Sequence, residues 1–213
     1  MGSGYVIAFI LSWLPPGGDL AFDSILPRAA SRFAGFGLGM VVLVTLMAAL
    51  LYALAVAGLA ASGRKVPRGP GWAGEAILVV ALIGLGIALY LTYVETRQVA
   101  AICGPVGDCN AVQSSPYARL FGVLPIGLLG AVGYAAIVAA WAVGRYSRGT
   151  LAIFAPLAIF AIALFGVLFS AYLTYLELFI ILAICAWCLG SAVVMAILLT
   201  LSVAPVLEAL SNM

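Results

Sequence analysis

The chain has no histidine and very little charge. Its nine Lys and Arg and seven Asp and Glu make up 8% of 213 residues, where a soluble domain carries about 25%. So little charge argues against a soluble globular protein. Disorder needs low hydrophobicity and high charge, and 66% of residues here are hydrophobic. The net charge of +2 is too small to point to nucleic acid. Without histidine, imidazole acid–base catalysis and histidine-ligated metal sites drop out. Chemistry is left to four cysteines, seven carboxylates and hydroxyls.

What the chain has in abundance is apolar length. Charge-free windows run over Phe33–Gly63, Ala76–Val94, Leu120–Gly144, Gly149–Leu176 and Leu178–Leu207. A helix rising about 1.5 Å per residue needs roughly 20 apolar residues to cross a bilayer core. Every window is about that long or longer, so five transmembrane helices are expected, the last two divided by a short polar break around Thr174–Glu177. The 24 glycines suit close helix packing in lipid. The fold class expected is all-α integral membrane, with lipid as its surroundings. Tyr5–Leu14 is apolar but too short to span, and Pro15-Pro16-Gly17-Gly18 stops it. Lacking a basic leading region, it makes a poor signal peptide. Residues 1–32 are therefore expected to form an outer-side interfacial segment, and residues 33–63 an additional transmembrane helix.

Basic residues set the sides. Arg64, Lys65 and Arg68 lie between the first and second windows, and Arg145 and Arg148 between the third and fourth. Alternating helices put both connections on one side, which is then cytoplasmic. Glu95, Arg97, Asp108, Arg119 and Glu177 fall on the outer side in a nearly balanced mixture; Arg28 and Arg32 weakly oppose the scheme.

The chain repeats itself. Tyr90-Leu-Thr-Tyr-Val-Glu95 matches Tyr172-Leu-Thr-Tyr-Leu-Glu177, and in the same register Ala101-Ile102-Cys103 falls on Ala183-Ile184-Cys185. Apolar helices match one another cheaply, but an aromatic-acid box followed at a fixed distance by cysteine is not generic. Each unit would be a helix, an outer connection bearing cysteines and a returning helix. Two units make a four-helix bundle over residues 72–205, with the 33–63 helix outside the repeat. Facing helices of such a bundle build ligand sites in its interior.

The cysteines form two close pairs, Cys103 with Cys109 and Cys185-Ala-Trp-Cys188. A Cys-x-x-Cys spacing is a redox or metal motif, and on a helix its two thiols share a face. Cys103 and Cys109 flank Gly-Pro-Val-Gly-Asp, a turn-forming stretch that can bring them together. A short helix is expected through Gln113 with Asp108 as its cap, placing Cys109 at a helix amino end, where the dipole favours a thiolate. Four readings stand beside one another: unreactive buried cysteines, static structural disulfides, a four-thiolate zinc site and thiol–disulfide exchange between the pairs. Exchange needs one pair that reaches a partner and one that stays fixed, and a glycine-bearing loop pair beside a helix pair supplies both. Exchange is the preferred reading, with no metal site expected.

In order, the chain presents a loop cysteine pair, then Asn110-Ala-Val-Gln-Ser-Ser115-Pro-Tyr117, Leu120-Phe-Gly122, a Leu-Gly-x-x-Gly-Tyr134 helix, and Cys-x-x-Cys on the last helix. That order resembles bacterial vitamin K epoxide reductase (VKOR) homologues over roughly Glu75 to Ser202. The functionally analogous disulfide-bond formation protein B family has a similar bundle with its Cys-x-x-Cys first. The resemblance implies a redox-active four-helix bundle that holds a quinone, of menaquinone or ubiquinone type, near the outer membrane face. It implies a thiol:quinone oxidoreductase that oxidises a thioredoxin-like partner for disulfide-bond formation. By the same resemblance Cys103 meets the partner, Cys109 attacks Cys185, and Cys188 faces the quinone. Ser115 falls on the family's active-site serine, where its hydroxyl could bond the quinone or the reactive thiolate. A bacterial inner or plasma membrane is the expected location, with the cysteines at the periplasmic, extracytoplasmic face. Many bacterial members carry a fused thioredoxin-like domain; few residues follow the last helix here, so a separate partner chain is expected. Ile126 and Ala192 stand where the animal enzymes have asparagine and tyrosine, which points away from epoxide reduction and toward simple quinone reduction. The competing class is a membrane scaffold or transporter with structural disulfides.

The two aromatic-acid boxes admit two roles. Tyrosine favours membrane interfaces, so Tyr93 with Glu95 and Tyr175 with Glu177 read first as anchors. Alternatively, Glu95 or Glu177 lies close enough to the thiols to help move the protons released as dithiols are oxidised.

Overall fold

The computed structural model describes residues 22–62, 71–103, 107–120 and 122–211, with side chains from residue 35 onward except at 61. The segment expected at Tyr5–Leu14 and the basic loop from Arg64 to Arg68 lie outside the described residues. Among the described residues six α-helices follow in order: α1 (Phe22–Ala61), α2 (Ala73–Arg97), α3 (Cys109–Gln113), α4 (Ile126–Tyr146), α5 (Thr150–Leu176) and α6 (Ala186–Ser211). Five of them are long and apolar enough to cross a membrane, α1 over Gly35–Ala60. The chain is an integral membrane protein, as its charge-free windows predict.

α2 packs on α4 and α6, and α5 packs on the same two helices, which closes a four-helix bundle. α1 lies outside, against α6 and α5. The interior is sealed by Tyr134, Ile137, Ala163, Val167, Leu198 and Leu199, with Leu46 joining from α1. The outer faces are apolar as well: Val41, Val44, Leu82, Phe165 and Leu168 are exposed. In water such a surface would be an aggregation liability. In lipid it is the matching solvent.

The repeat is visible in the packing. Gly84 of α2 and Gly166 of α5 occupy equivalent places in the two units. A methyl at Gly84 would overlap the Tyr134 ring of α4, and one at Gly166 would sit 2.6 Å from the Met195 sulfur of α6. In each unit a glycine on the first helix receives a large side chain from the returning helix. Tyr134 then reaches the third neighbour: its hydroxyl lies 3.0 Å from the Ser191 carbonyl and 2.9 Å from the Ser191 hydroxyl.

Three boundaries differ from the charge pattern, the first being the start of α1 at Phe22, inside the 1–32 segment expected at the interface and ahead of the Phe33 window. The third window opens at Leu120, but α4 starts at Ile126. Residues Arg119–Leu120 pair antiparallel with Leu124–Pro125 around Gly122, whose φ of 73° suits a glycine turn. The division between the last two helices falls later than Thr174–Glu177. α5 continues into a wide π turn over Glu177–Ile181, and the chain breaks at Leu182, with φ 56°. Residues Leu182–Cys185 then lead without a helical turn into α6.

Candidate functional site

All four cysteines gather at one end of the bundle, where α2 leaves and α4 returns, and where α5 leaves and α6 returns. α2 ends at Arg97 because Gln98 turns left-handed, with φ 53°. The chain beyond is held at three points. Ala101 donates its N–H to Asn110 Oδ1 at 2.8 Å. Ile102 donates its N–H to the Tyr90 hydroxyl at 2.9 Å and accepts from Trp187 Nε1 at 2.9 Å. The Tyr90 and Trp187 rings are 4.8 Å apart between centroids, which joins α2 to α6 above this stretch.

Cys103 and Cys109 form a disulfide, with their Cα atoms 6.0 Å apart. Asp108 caps α3 as the spacing predicts, its carboxylate accepting the Ala111 N–H at 3.0 Å. The Asp108 N–H in turn donates to the Ile184 carbonyl at 2.9 Å. Gly107 makes that approach possible. Its φ of 96° is in the left-handed range, and a side chain there would collide with the same Ile184 carbonyl.

Cys185 and Cys188 are free thiols. Cys185 immediately precedes α6, and its carbonyl accepts the Leu189 N–H at 3.0 Å. Its sulfur accepts the Cys188 N–H at 3.3 Å, the bond an N-cap side chain makes to the first helical turn. Cys109 and Cys185 are both fully buried, packed in one apolar cluster with Leu91, Val94, Ala101 and Val112. Cys103 and Cys188 border that cluster and are partly exposed. The structure therefore brings both pairs together: an oxidised loop pair against a reduced helix pair. Two of the four sulfurs are bonded to each other, so the four do not form a thiolate cage.

Below the helix pair lies a cavity between α2, α3, α5 and α6. Its walls are Val112, Ala118, Ile126, Leu173, Leu176 and Ile181, and its polar lining is Glu95, Gln113, Ser115, Tyr117, Glu177 and Cys188. Ser115 Oγ and Gln113 Oε1 are buried with no protein partner. Buried polar atoms are nearly always paired, so two orphans on one cavity mark a place for a ligand with polar edges. The lining combines apolar walls with polar edges, and the Ser115 hydroxyl is free to donate to an oxygen there. Ile126 is on the wall, whereas Ala192 is buried in the bundle core, away from the cavity.

The Tyr-Glu boxes divide. Tyr93 and Tyr175 are 55% and 49% exposed on the outer surface, whereas Glu95 and Glu177 are 6% and 3% exposed and turn inward. Glu95 Oε2 accepts the Gly127 N–H at 3.0 Å, and Glu177 Oε2 accepts the Cys185 N–H at 3.0 Å. Each carboxylate thus holds the start of the returning helix in its own unit. The Glu177 carboxyl and the Cys188 thiol line the same cavity.

Reading from sequence missed Gln113, Asn110, Trp187 and Tyr90 as site residues. Gln113 follows Cys109 by one helical turn, which puts it on the cysteine's side of α3, and that spacing is a usable signal. Trp187 lies inside the Cys-x-x-Cys, but nothing in the sequence pairs it with Ile102.

The helical bundle presents a closed and an open cysteine pair at one end, and its membership of a family of membrane oxidoreductases is shown by its sequence. Residues 75–203 match the vitamin K epoxide reductase family, and the chain belongs to it. The match spans the whole bundle from α2 into α6 and leaves α1 outside, as the internal repeat does. No individual curated protein matches the chain.

Proposed function

We propose that the protein is a membrane thiol:quinone oxidoreductase that makes disulfides in a thioredoxin-like partner. The observation that carries this reading is the sharing of one apolar cluster by Cys109 and Cys185, with Cys188 opening onto the cavity lined by Ser115. A partner thiolate attacks Cys103 of the loop disulfide, and the partner's second thiol resolves the mixed disulfide. The loop is left as a dithiol. Cys109 then attacks the oxidised helix pair at Cys185 and releases Cys188, and Cys103 closes back on Cys109. The Cys185–Cys188 dithiol returns to its disulfide as two electrons and two protons pass to a quinone of menaquinone or ubiquinone type, giving a quinol. Quinone couples are far more oxidising than protein dithiols, and about 30 mV is worth about 1.4 kcal/mol for two electrons, so the direction is downhill.

Sidedness rests on the basic residues. Arg145 in the last turn of α4, and Arg148 beyond it, lie at the end away from the cysteines. The positive-inside rule makes that end cytoplasmic, which leaves the cysteines facing the extracytoplasmic space of a bacterial inner membrane. Ile126, on the cavity wall in place of a polar group, favours quinone reduction over epoxide reduction.

Purified protein in lipid nanodiscs, given a reduced thioredoxin-like protein and a short-chain quinone, should convert quinone to quinol in step with loss of partner thiols. Alkylation of the four cysteines should change when quinone is added. An alkylation pattern indifferent to quinone would instead identify a scaffold held by a static disulfide.

A further inference from the structure

Glu95 and Glu177 are repeat mates with the same local task, each accepting an N–H at the start of a returning helix. That task does not need a carboxylate. An amide oxygen accepts the same bond, and burying an ionisable group costs far more than burying an amide. Both carboxyls nevertheless line the one cavity that also holds Ser115 and Cys188. The cavity encloses ≈ 40 Å³, against roughly 10–15 Å³ for one water on this measure. A short water chain fits between the groups.

Resting on the thiol:quinone reading above, we infer that Glu177 takes the proton of the Cys188 thiol as that sulfur is oxidised, and that Glu95 is the second proton carrier of the same cavity. The balance is simple. The dithiol gives up two electrons and two protons, and the quinone takes both. Glu177 holds one of those protons in transit and returns to its starting state, so it appears nowhere in the overall equation. Glu177 is suited to the first position because it accepts the Cys185 N–H and shares its cavity with the Cys188 thiol. Glu95, held at Gly127, is suited to the far side, where Ile126 and Ser115 line the same cavity.

The groups that face Glu177 are few. Cys185 donates its N–H and α6 contributes the Cys188 thiol, α2 contributes Glu95 across the cavity, α3 contributes Val112 and Gln113, and Ser115 and Tyr117 follow on the same lining. α1 meets the π turn with apolar contacts, Phe36 on Phe179 and Gly39 against Leu178. α5 adds Leu173 and Leu176. Arg119 is the cation beside Glu95.

Glu177→Gln keeps an acceptor for the Cys185 N–H and abolishes the titration, whereas Glu177→Ala removes both. In reduced protein without quinone, the rate of Cys188 alkylation against pH should carry an inflection from the carboxyl. E177Q should lose that inflection. With reduced partner and a short-chain quinone, E177Q should slow quinol formation by roughly 10²-fold, the low end of general acid–base effects, while Glu177→Asp regains part of the rate. Glu95→Gln should slow it less. If E177Q matches the parent in alkylation profile and quinol formation and only E177A is impaired, the carboxyl is a helix cap and the inference is overturned. A parent protein that leaves quinone unreduced overturns the proposed function, and this inference with it.

Discussion

Asp108 donates its backbone N–H to the carbonyl of Ile184 at 2.9 Å, one residue before Cys109 on one side and one residue before Cys185 on the other. This single bond ties the base of the loop pair to the threshold of the helix pair. Gly107 is the residue that permits it. Gly107→Ala would force a side chain into a left-handed conformation, at about 1–2 kcal/mol, and into the Ile184 carbonyl. Exchange between the pairs should slow at least as much as thermal stability falls. The check is to time re-formation of the Cys103–Cys109 disulfide alongside thermal unfolding of the same sample.

Cys188→Ala should accumulate a disulfide between Cys109 and Cys185. Cys185 attacks Cys109 and releases Cys103; with Cys188 gone, only the return of Cys103 can resolve the bond, so it persists once the released Cys103 thiol is alkylated. Non-reducing peptide mapping should find that cross-link as the main species in C188A and at low level in the parent. Absence of the cross-link would mean that the buried sulfurs of one cluster do not meet.

Cys103→Ala should separate protein from small-molecule substrates. Cys103 is the partly exposed member of the loop pair, while Cys109 is fully buried. A protein partner should lose activity almost completely, whereas a small dithiol should retain part of its rate by reaching the helix pair directly. Equal loss with both would remove Cys103 from the partner-facing role.

The spans, both cysteine pairs, the Asp108 cap and the repeat were legible in the sequence because each leaves a local mark: absence of charge, spacing, or a recurring box. The break after Ile181 was not. Leu182 turns left-handed with no glycine or proline to signal it, and the polar residues nearby are drawn into α5 and its π turn. The start of α4 was obscured because charge-free counting cannot see the Arg119–Pro125 hairpin. Within the site, the direction of each side chain was hidden. Tyr93 and Glu95 are two residues apart on one helix, yet one faces outward and the other lines the cavity. The contacts of Trp187 with Ile102 and of Asn110 with Ala101 join segments that no periodicity connects.

Gly84→Ala should destabilise the bundle by about 1–3 kcal/mol, the usual cost of overpacking, because the added methyl overlaps the Tyr134 ring. Tyr134→Phe should cost about 1 kcal/mol through loss of its hydrogen bond to Ser191. The two substitutions touch the same ring, so the double variant should depart from additivity. Thermal unfolding in detergent reads all three. Additive losses would mean that the ring does not bear on Gly84.

Ser115→Ala distinguishes a ligand group from a structural one. Ser115 Oγ is buried and bonds nothing in the protein, so its removal should leave thermal stability unchanged or slightly raised, since an unsatisfied polar atom is lost. If the hydroxyl donates to quinone, the KM for quinone should rise by roughly two- to thirteenfold, the effect of one hydrogen bond worth about 0.5–1.5 kcal/mol. The rate at which Cys109 attacks Cys185, two sulfurs buried in the apolar cluster and outside the cavity lining, should be unaffected. Lost stability with an unchanged KM would return Ser115 to the role of a turn residue ahead of Pro116. A raised KM with intact stability and exchange would assign the cavity beneath Cys188 to the electron acceptor.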